Sequence, residues 1–452
     1  MTNAAGRAVR RGRPPRPHRD RSDTVRRTHA GRRRGLVVRL LLVAAFALGL
    51  AAFVPGVAQA EGEQVLGTLQ TSRSGPIEGV EIVVTTPDGA EVGSTETDED
   101  GRWAIDVPGP GQYTVTLDAD ALPDDVVLTG EDSRTVTVDL GRRQPVQFGL
   151  DDGSGGSGGG NVEAIQLLVD GLRFGLLIAM CAVGLSLIFG TTGLTNFAHG
   201  ELVTIGAVIA WYINVSLGVP IVVAALLAMI AGAGVGALNE LGLWRPLRRR
   251  GTGLIAALVV SIGLSLLLRY SIQIVYGGFS NPYSGLGTSR AVDYGLFRLT
   301  NQSLISIIIS VVVLVLVAVM LQRTKIGKAM RAVADNRDLA ASSGINVNRV
   351  ILVVWMMGGS LAALGGVLLG IADQVRWDMG FQLLLLMFAG VTLGGLGTAY
   401  GALVGSIIVG VFVQMSTLVI PNDIKYVGGL LLLIVILVIR PQGILGSRAR
   451  IG

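Results

Sequence analysis

Gly193-Leu194-Thr195-Asn196-Phe197-Ala198-His199-Gly200-Glu201 is a polar, glycine-flanked island between two long apolar runs, Ile165 to Phe189 and Leu202 to Tyr212. His199 is the only histidine after residue 29. Burying Asn, His and Glu at membrane depth is costly, so such groups face other protein or water. An island of this kind marks a membrane protein that does more at this point than span.

The rest of the composition agrees. Of 452 residues, 50% are hydrophobic and only 15% charged, whereas a soluble domain is about 25% charged. The 64 glycines suit closely packed membrane helices. The net charge of +5 is the residue of opposing blocks. Residues 1–39 are strongly basic, 61–150 strongly acidic and 153–452 moderately basic, so the basic balance does not argue for nucleic acid. The one cysteine, Cys181, sits in an apolar run; it reads as a small buried apolar residue and excludes an intrachain disulfide.

Residues 1–60 read as a basic, arginine-rich leader followed by a signal peptide or anchor. The apolar run Leu36 to Val54 precedes Ala58-Gln59-Ala60, a small-x-small cleavage pattern. Cleaved or not, this places residue 61 onwards outside the cytoplasm. Residues 61–150 alternate in short strands around 80–84, 103–107, 113–117 and 135–139, separated by turn signals such as Pro87-Asp88-Gly89. They predict a small β-sandwich. Asp98, Asp100 and Gly101 lack the further oxygen ligands and distal Glu of a calcium loop and read as an acidic turn. Residues 151–160 form a Gly/Ser tether of roughly 16–19 Å.

Residues 161–452 predict a polytopic all-α membrane domain. Apolar runs at 164–190, 202–217, 219–241, 253–276, 303–321, 350–372, 381–398, 400–420 and 425–440 approach the ~20 residues needed to span a bilayer, giving about eight or nine crossings. The second, seventh and ninth are weaker, which points to half-helices or re-entrant segments. Nine crossings put the basic loops at 245–250, 323–349 and 440–450 together on the cytoplasmic side. Gly394-Gly395-Leu396-Gly397 is dense enough in glycine to break a helix. Pairs four apart, such as Gly232 and Gly236, allow either close packing within the chain or a dimer seam.

The membrane half holds few ionisable groups. A metal site at His199 would need further ligands that it lacks. A proton relay through His199 and Glu201 is possible in principle, but residues two apart point to different helix faces; lining of a solute path or a structural role fits better. Asn196 is placed to bond unwound backbone or a polar solute. Arg269, inside the fourth run, costs about 2.5–3.5 kcal/mol if exposed to lipid, so it is expected to pair with Glu240 or to snorkel past Tyr270; holding a solute carboxylate is the minority reading.

The loop from Arg323 to Arg349 is the second informative stretch. Asp335, Asn336 and Asp338 supply N-terminal capping groups for a short helix over Leu339–Ser343, and Gly344 can end it. The outcome is either a short exposed cytoplasmic helix or a solvated basic loop.

These stretches together resemble the permease subunits of branched-chain amino-acid ABC importers. The resemblance covers 160–450 and rests on four motifs in order: the 193–201 island, Trp244-Arg245-Pro246-Leu247-Arg248, Gly327-Lys328-Ala329-Met330-Arg331-Ala332 through Gly344-Ile345-Asn346, and Gly394-Gly395-Leu396-Gly397 with Tyr400-Gly401-Ala402. Urea and short-amide permeases share these motifs. The resemblance implies a translocation subunit working with a second permease, two cytosolic ATPases and an extracytoplasmic solute-binding protein in the plasma membrane. It implies further that Arg331, Asp335, Asn336, Asp338, Ala341, Gly344 and Ile345 belong to an ATPase-coupling loop. No G-x-x-x-x-G-K-[ST] motif occurs in the chain, so ATP hydrolysis falls to other chains; no cofactor is expected. Thr97-Asp98-Glu99-Asp100-Gly101-Arg102-Trp103 with Pro110-Gly111-Gln112-Tyr113 resembles carboxypeptidase-regulatory-like β-domains. The competing class, an envelope-sensing receptor, is disfavoured because no output module follows residue 440.

Overall fold

The structure, a computed structural model, describes residues 63–71, 75–99, 101–123, 126–128, 130–138, 143–146, 148–151, 160–278, 280–285, 291–294, 297–420, 425–439 and 443–444. The leader, the signal or anchor, most of the Gly/Ser tether and the last arginines lie outside them.

The N-terminal region is built on two main sheets, with two further two-stranded pairings beside them. One has the order β7-β1-β4, with β1 (Gln64–Thr68) parallel to β7 (Arg143–Val146) and antiparallel to β4 (Arg102–Asp106). The other is antiparallel with the order β3-β2-β5-β6, from β2 (Glu81–Thr85), β3 (Glu91–Glu96), β5 (Gly111–Leu117) and β6 (Ser133–Val138). Alternation along β2, β4 and β5 turns Ile82, Val84, Trp103, Ile105, Tyr113, Val115 and Leu117 inward to one core. The Asp98 turn is structural. Asp98 Oδ1 accepts from the Arg102 amide at 2.7 Å, and Gly101 takes φ +70°, where only glycine is unstrained.

Among its described residues the membrane domain has twelve α-helices. They are α1 (Gly160–Thr192), α2 (His199–Trp211), α3 (Ile221–Asn239), α4 (Arg245–Arg249), α5 (Leu254–Tyr276), α6 (Asn301–Arg323), α7 (Lys325–Asp335), α8 (Arg337–Ser342), α9 (Val347–Asp373), α10 (Met379–Gly394), α11 (Ala399–Ser416) and α12 (Lys425–Ile439). Among the described residues six stretches are long and apolar enough to cross a membrane: α1, α3 with its continuation into α4, α5, α6, α9 and α11. The other three predicted runs form the shorter α2, α10 and α12, as their weaker sequence signal suggested. A hairpin of β8 (Ala291–Asp293) and β9 (Arg298–Thr300) lies between α5 and α6.

Helix α1 and helix α9 are the pillars. Glycine lets them meet: Gly184 packs on Gly358 and Gly365 on Cys181. The predicted small-residue pairs serve this same packing within the chain. Gly232 and Gly236 abut Gly359, Ala363 and Trp355 of α9, and Gly405 abuts Gly390 and Gly394, so the described glycines in these pairs are occupied inside one chain. The Gly-rich run breaks the helix as expected. Helix α10 ends at Gly394, Gly395 and Gly397 take φ +107° and +82°, and α11 starts at Ala399.

Candidate functional site

The island folds back into the bundle. After α1 ends at Thr192, Gly193 takes φ +69° and reverses the chain. Asn196 then organises the re-entry: its Oδ1 accepts from the Ala198 amide at 3.1 Å. Asn196 therefore bonds unwound backbone, one of the two partners anticipated for it. Ser261 on α5 accepts from the Phe197 amide at 3.2 Å and donates to the carbonyl of Thr195 at 3.3 Å. These bonds satisfy backbone groups that lipid could not. Helix α2 then starts deep in the bundle. His199 Nε2 meets the carbonyl of Cys181 at 3.1 Å, eleven residues, or ~16 Å of helix, before the end of α1.

Helix α10 starts at the same level and runs the opposite way. The Gly380 amide donates to Thr204 Oγ1 at 3.1 Å, and Gly200 lies against Gly380 and Leu384. Phe197 packs on Phe388 at 4.9 Å. Two short helices thus bring their N-termini together inside the bundle, where each carries positive partial charge. Short helices meeting in this way are a recurrent device of transport proteins.

Glu201 sits in the first turn of α2, wholly buried. Its Oε1 accepts from Ser265 Oγ at 2.9 Å and from Arg269 Nε and Nη2, each at 3.2 Å. Arg269 in turn lies 3.5 Å from the centroid of Phe381. The expected pairing of Arg269 with Glu240 is therefore corrected, and so is its snorkelling. Glu240 is held instead by Arg248, in a bidentate pair whose second bond is 3.0 Å, because the two lie eight residues apart on one continuous helix. Ser261, Ser265 and Arg269 fall four residues apart on one face of α5, a signal present in the sequence; nothing in the sequence indicated Phe381. His199 and Glu201 face different partners, as their spacing required. Glu201 Oε2 and His199 Nδ1 have no hydrogen-bond partner among the described residues, and no group of metal-ligating side chains forms among them.

At the end of the bundle where α1 finishes, the Arg323–Arg349 loop is two helices rather than one. Thr324 caps α7 by accepting from the Gly327 amide at 3.1 Å, and α7 turns Met330 and Val333 inward. Asn336 alone makes the cap bond of α8, accepting from the Leu339 amide at 2.9 Å. Asp335 closes α7 instead of capping α8, and α8 begins two residues earlier than expected, at Arg337. Arg331, Asp338 and Ala341 are exposed. Gly344 takes φ +85° and the Ile345 amide donates to the carbonyl of Ala340 at 3.0 Å, which ends α8 as predicted. Ala340 turns inward while Leu339 stands 64% exposed.

Arg337, read in the sequence only as one charge of a basic loop, ties this helix to the bundle. Its Nη2 donates to the carbonyl of Thr191 at 2.6 Å, two residues before the island. Burial lowers its pKa from the ordinary arginine value, and the nearby Arg248 pushes the same way, against Asp338 and Glu240. The carbonyl, Asp338 and Glu240 keep so basic a group charged.

A multi-pass helical bundle with two re-entrant half-helices and one outward-facing amphipathic helix is the class of a membrane transport subunit. The chain belongs to the family described as branched-chain amino acid transport system / permease component, which matches residues 167–439. Residues 64–151 match the carboxypeptidase regulatory-like domain. The chain is 29% identical over 296 residues to the high-affinity branched-chain amino acid transport permease LivH of Escherichia coli K12, covering 62% of this chain and 95% of that protein. It is 30% identical over 296 residues, with the same coverage, to the permease BraD of Pseudomonas aeruginosa. A ribose import permease, RbsC of Escherichia coli K12, is 29% identical over 242 residues, 51% of this chain and 72% of its own length. No solved structure matches the chain.

Proposed function

We propose that this chain is the translocation subunit of an ABC importer that moves branched-chain amino acids inward, with ATP hydrolysed by separate subunits. The similarity to LivH and BraD supports the solute, since each is named as a branched-chain amino acid permease. The single structural observation that carries the reading is α8, a capped helix presenting Leu339 to solvent while Arg337 anchors it to the end of α1. An exposed apolar residue on a rigid helix is what an ATPase groove requires. Movement of α8 would reach the island through the bond between Arg337 and Thr191, and α2 and α10 would respond as a pair.

In this reading Arg331, Asp335, Asn336, Asp338, Ala341, Gly344 and Ile345 form the coupling segment on the cytoplasmic face. Asn196, His199, Glu201 and Arg269 hold the half-helices beside the solute path. The partners are a second permease, two ATPases and an external solute-binding protein. Residues 61–150 lie outside the cytoplasm and contact the binding protein. The test is reconstitution with the partner subunits and uptake of radiolabelled leucine against urea. Leucine transport supports the proposal; urea transport without leucine transport sinks it. Charge reversal at Asp335 and Asp338 is expected to uncouple uptake from ATP hydrolysis. Deletion of 61–150 with unchanged uptake and unchanged binding-protein association would remove the docking role.

A further inference from the structure

Two arginines lie within the apolar helices at membrane depth, and they are treated differently. Arg269 has Glu201 and Phe381. Arg173, nine residues inside the stretch of α1 that begins at Ala164 and hence ~14 Å along its axis, makes no ion pair among the described residues, although Asp170 stands one turn before it on the same helix. Among the described residues its hydrogen bond is from Nη1 to Ser303 Oγ on α6, and its buried Nε has none.

Arg173 opens onto a cavity of about 190 Å³ between α1, the first turns of α6 and the end of α9. Its wall is divided by chemistry. On one side Arg173 is joined by Gln302, Ser303 and Ser306, the two serines being 7% and 5% exposed. Ser303 Oγ is 2.8 Å from Thr300 Oγ1, and Ser306 Oγ donates to the carbonyl of Gln302 at 2.8 Å. On the other side Leu177, Ile371 and Ala372 are apolar. The N-terminus of α6 adds positive partial charge to the polar side. Drug-sized ligands occupy ~300–1,000 Å³, so this cavity suits a much smaller solute.

We propose that this cavity receives an amino-acid solute, with its carboxylate on Arg173 and the α6 N-terminus and its aliphatic side chain against Leu177 and Ile371. The site rests on the amino-acid importer reading and deepens it. A guanidinium fork matches a carboxylate in two parallel bonds, and Arg173 keeps an unbonded Nε to offer one. Urea, which carries no charge, could not make this charged pairing. The cavity lies at the same end of the bundle as the β8–β9 hairpin, since Thr300 closes that hairpin and caps α6.

The test uses the full chain, alone and in the assembled importer. In a Cys181→Ala background, the thiol introduced by Ser306→Cys is labelled with a maleimide. Millimolar leucine is expected to slow labelling at least threefold, leucinamide is expected not to, and adding Arg173→Gln is expected to abolish protection. In proteoliposomes without the cysteine changes, Arg173→Gln is expected to lower leucine uptake at least tenfold. Arg173→Lys is expected to keep a third or more of the uptake. Equal labelling with and without leucine, protection by leucinamide as strong as by leucine, or uptake by Arg173→Gln within twofold of the parent overturns the site. If the parent importer transports leucine while any of these holds, only the site fails. If the parent moves no leucine, the importer reading fails with it.

Discussion

The 193–201 island and the Arg337–Ile345 segment are both polar interruptions between apolar helices, yet the fold treats them oppositely. His199 and Glu201 are wholly buried, and what they bond lies within the bundle. Leu339, the apolar residue of the other segment, is left 64% exposed. Polar groups at membrane depth must be satisfied by protein, so the island became a joint between half-helices. At the membrane surface, water satisfies the polar groups, and an exposed leucine on a capped helix is free to serve a partner. Burial of polarity here signals internal construction, and the exposed Leu339 is what the proposed ATPase interface would use.

The sharpest way to break this contrast is to remove one partner of the buried pair. Glu201→Ala leaves the Arg269 charge uncompensated, and the expected loss is about 3–5 kcal/mol of stability. Thermal melting of the detergent-solubilised protein should show a large drop, while Glu201→Gln, which retains the bond from Ser265, falls less. A Glu201→Ala protein that melts like the parent would falsify the joint.

The next largest effect belongs to the exposed side of the comparison. Leu339→Asp should alter folding stability by no more than ~0.5 kcal/mol, as a surface change. It should weaken ATPase association by about 2 kcal/mol, a hot-spot effect, or roughly thirtyfold in Kd. Co-purification of the ATPases and leucine uptake read this directly; unchanged co-purification would place the interface elsewhere.

Two smaller effects sharpen the picture. Asn336→Ala removes the cap of α8 and should cost about 1 kcal/mol, visible as faster amide exchange at Leu339 with the rest of the bundle unchanged. His199→Ala removes one buried hydrogen bond, worth about 1 kcal/mol. It should leave uptake within a few-fold and with the same pH dependence, whereas loss of uptake with a shifted pH profile would revive a proton relay.

Much of this protein is legible along the chain. The long apolar runs, the shortness of the second, seventh and ninth, the break at Gly394–Gly397, the strands β2, β4, β5 and β6 of the β-sandwich and the end of α8 at Gly344 are local matters. They depend on period, length and which residues tolerate positive φ. The pillars differ from their neighbours in a way no run of hydropathy shows. Of the apolar window of α1, 78% is buried inside the protein, against 17% for α5, although both are equally suited to lipid. In a membrane, lipid and protein core are alike in polarity, so hydropathy cannot tell which helix is central.

The partners of the charges were decided only in three dimensions. Glu240 and Glu201 were both available to Arg269 by composition, and the choice followed from the re-entry of the island, which carries Glu201 to the face of α5 that bears Ser265. The strut from Arg337 to Thr191 and the cavity beside Arg173 join residues well over a hundred positions apart. The chain's order thus determined the elements and their lengths, because those follow from local sterics and hydrophobic period. Which charge meets which, and which is left without a partner, was settled by packing, because a buried charge is held by whatever the fold brings within about 3 Å.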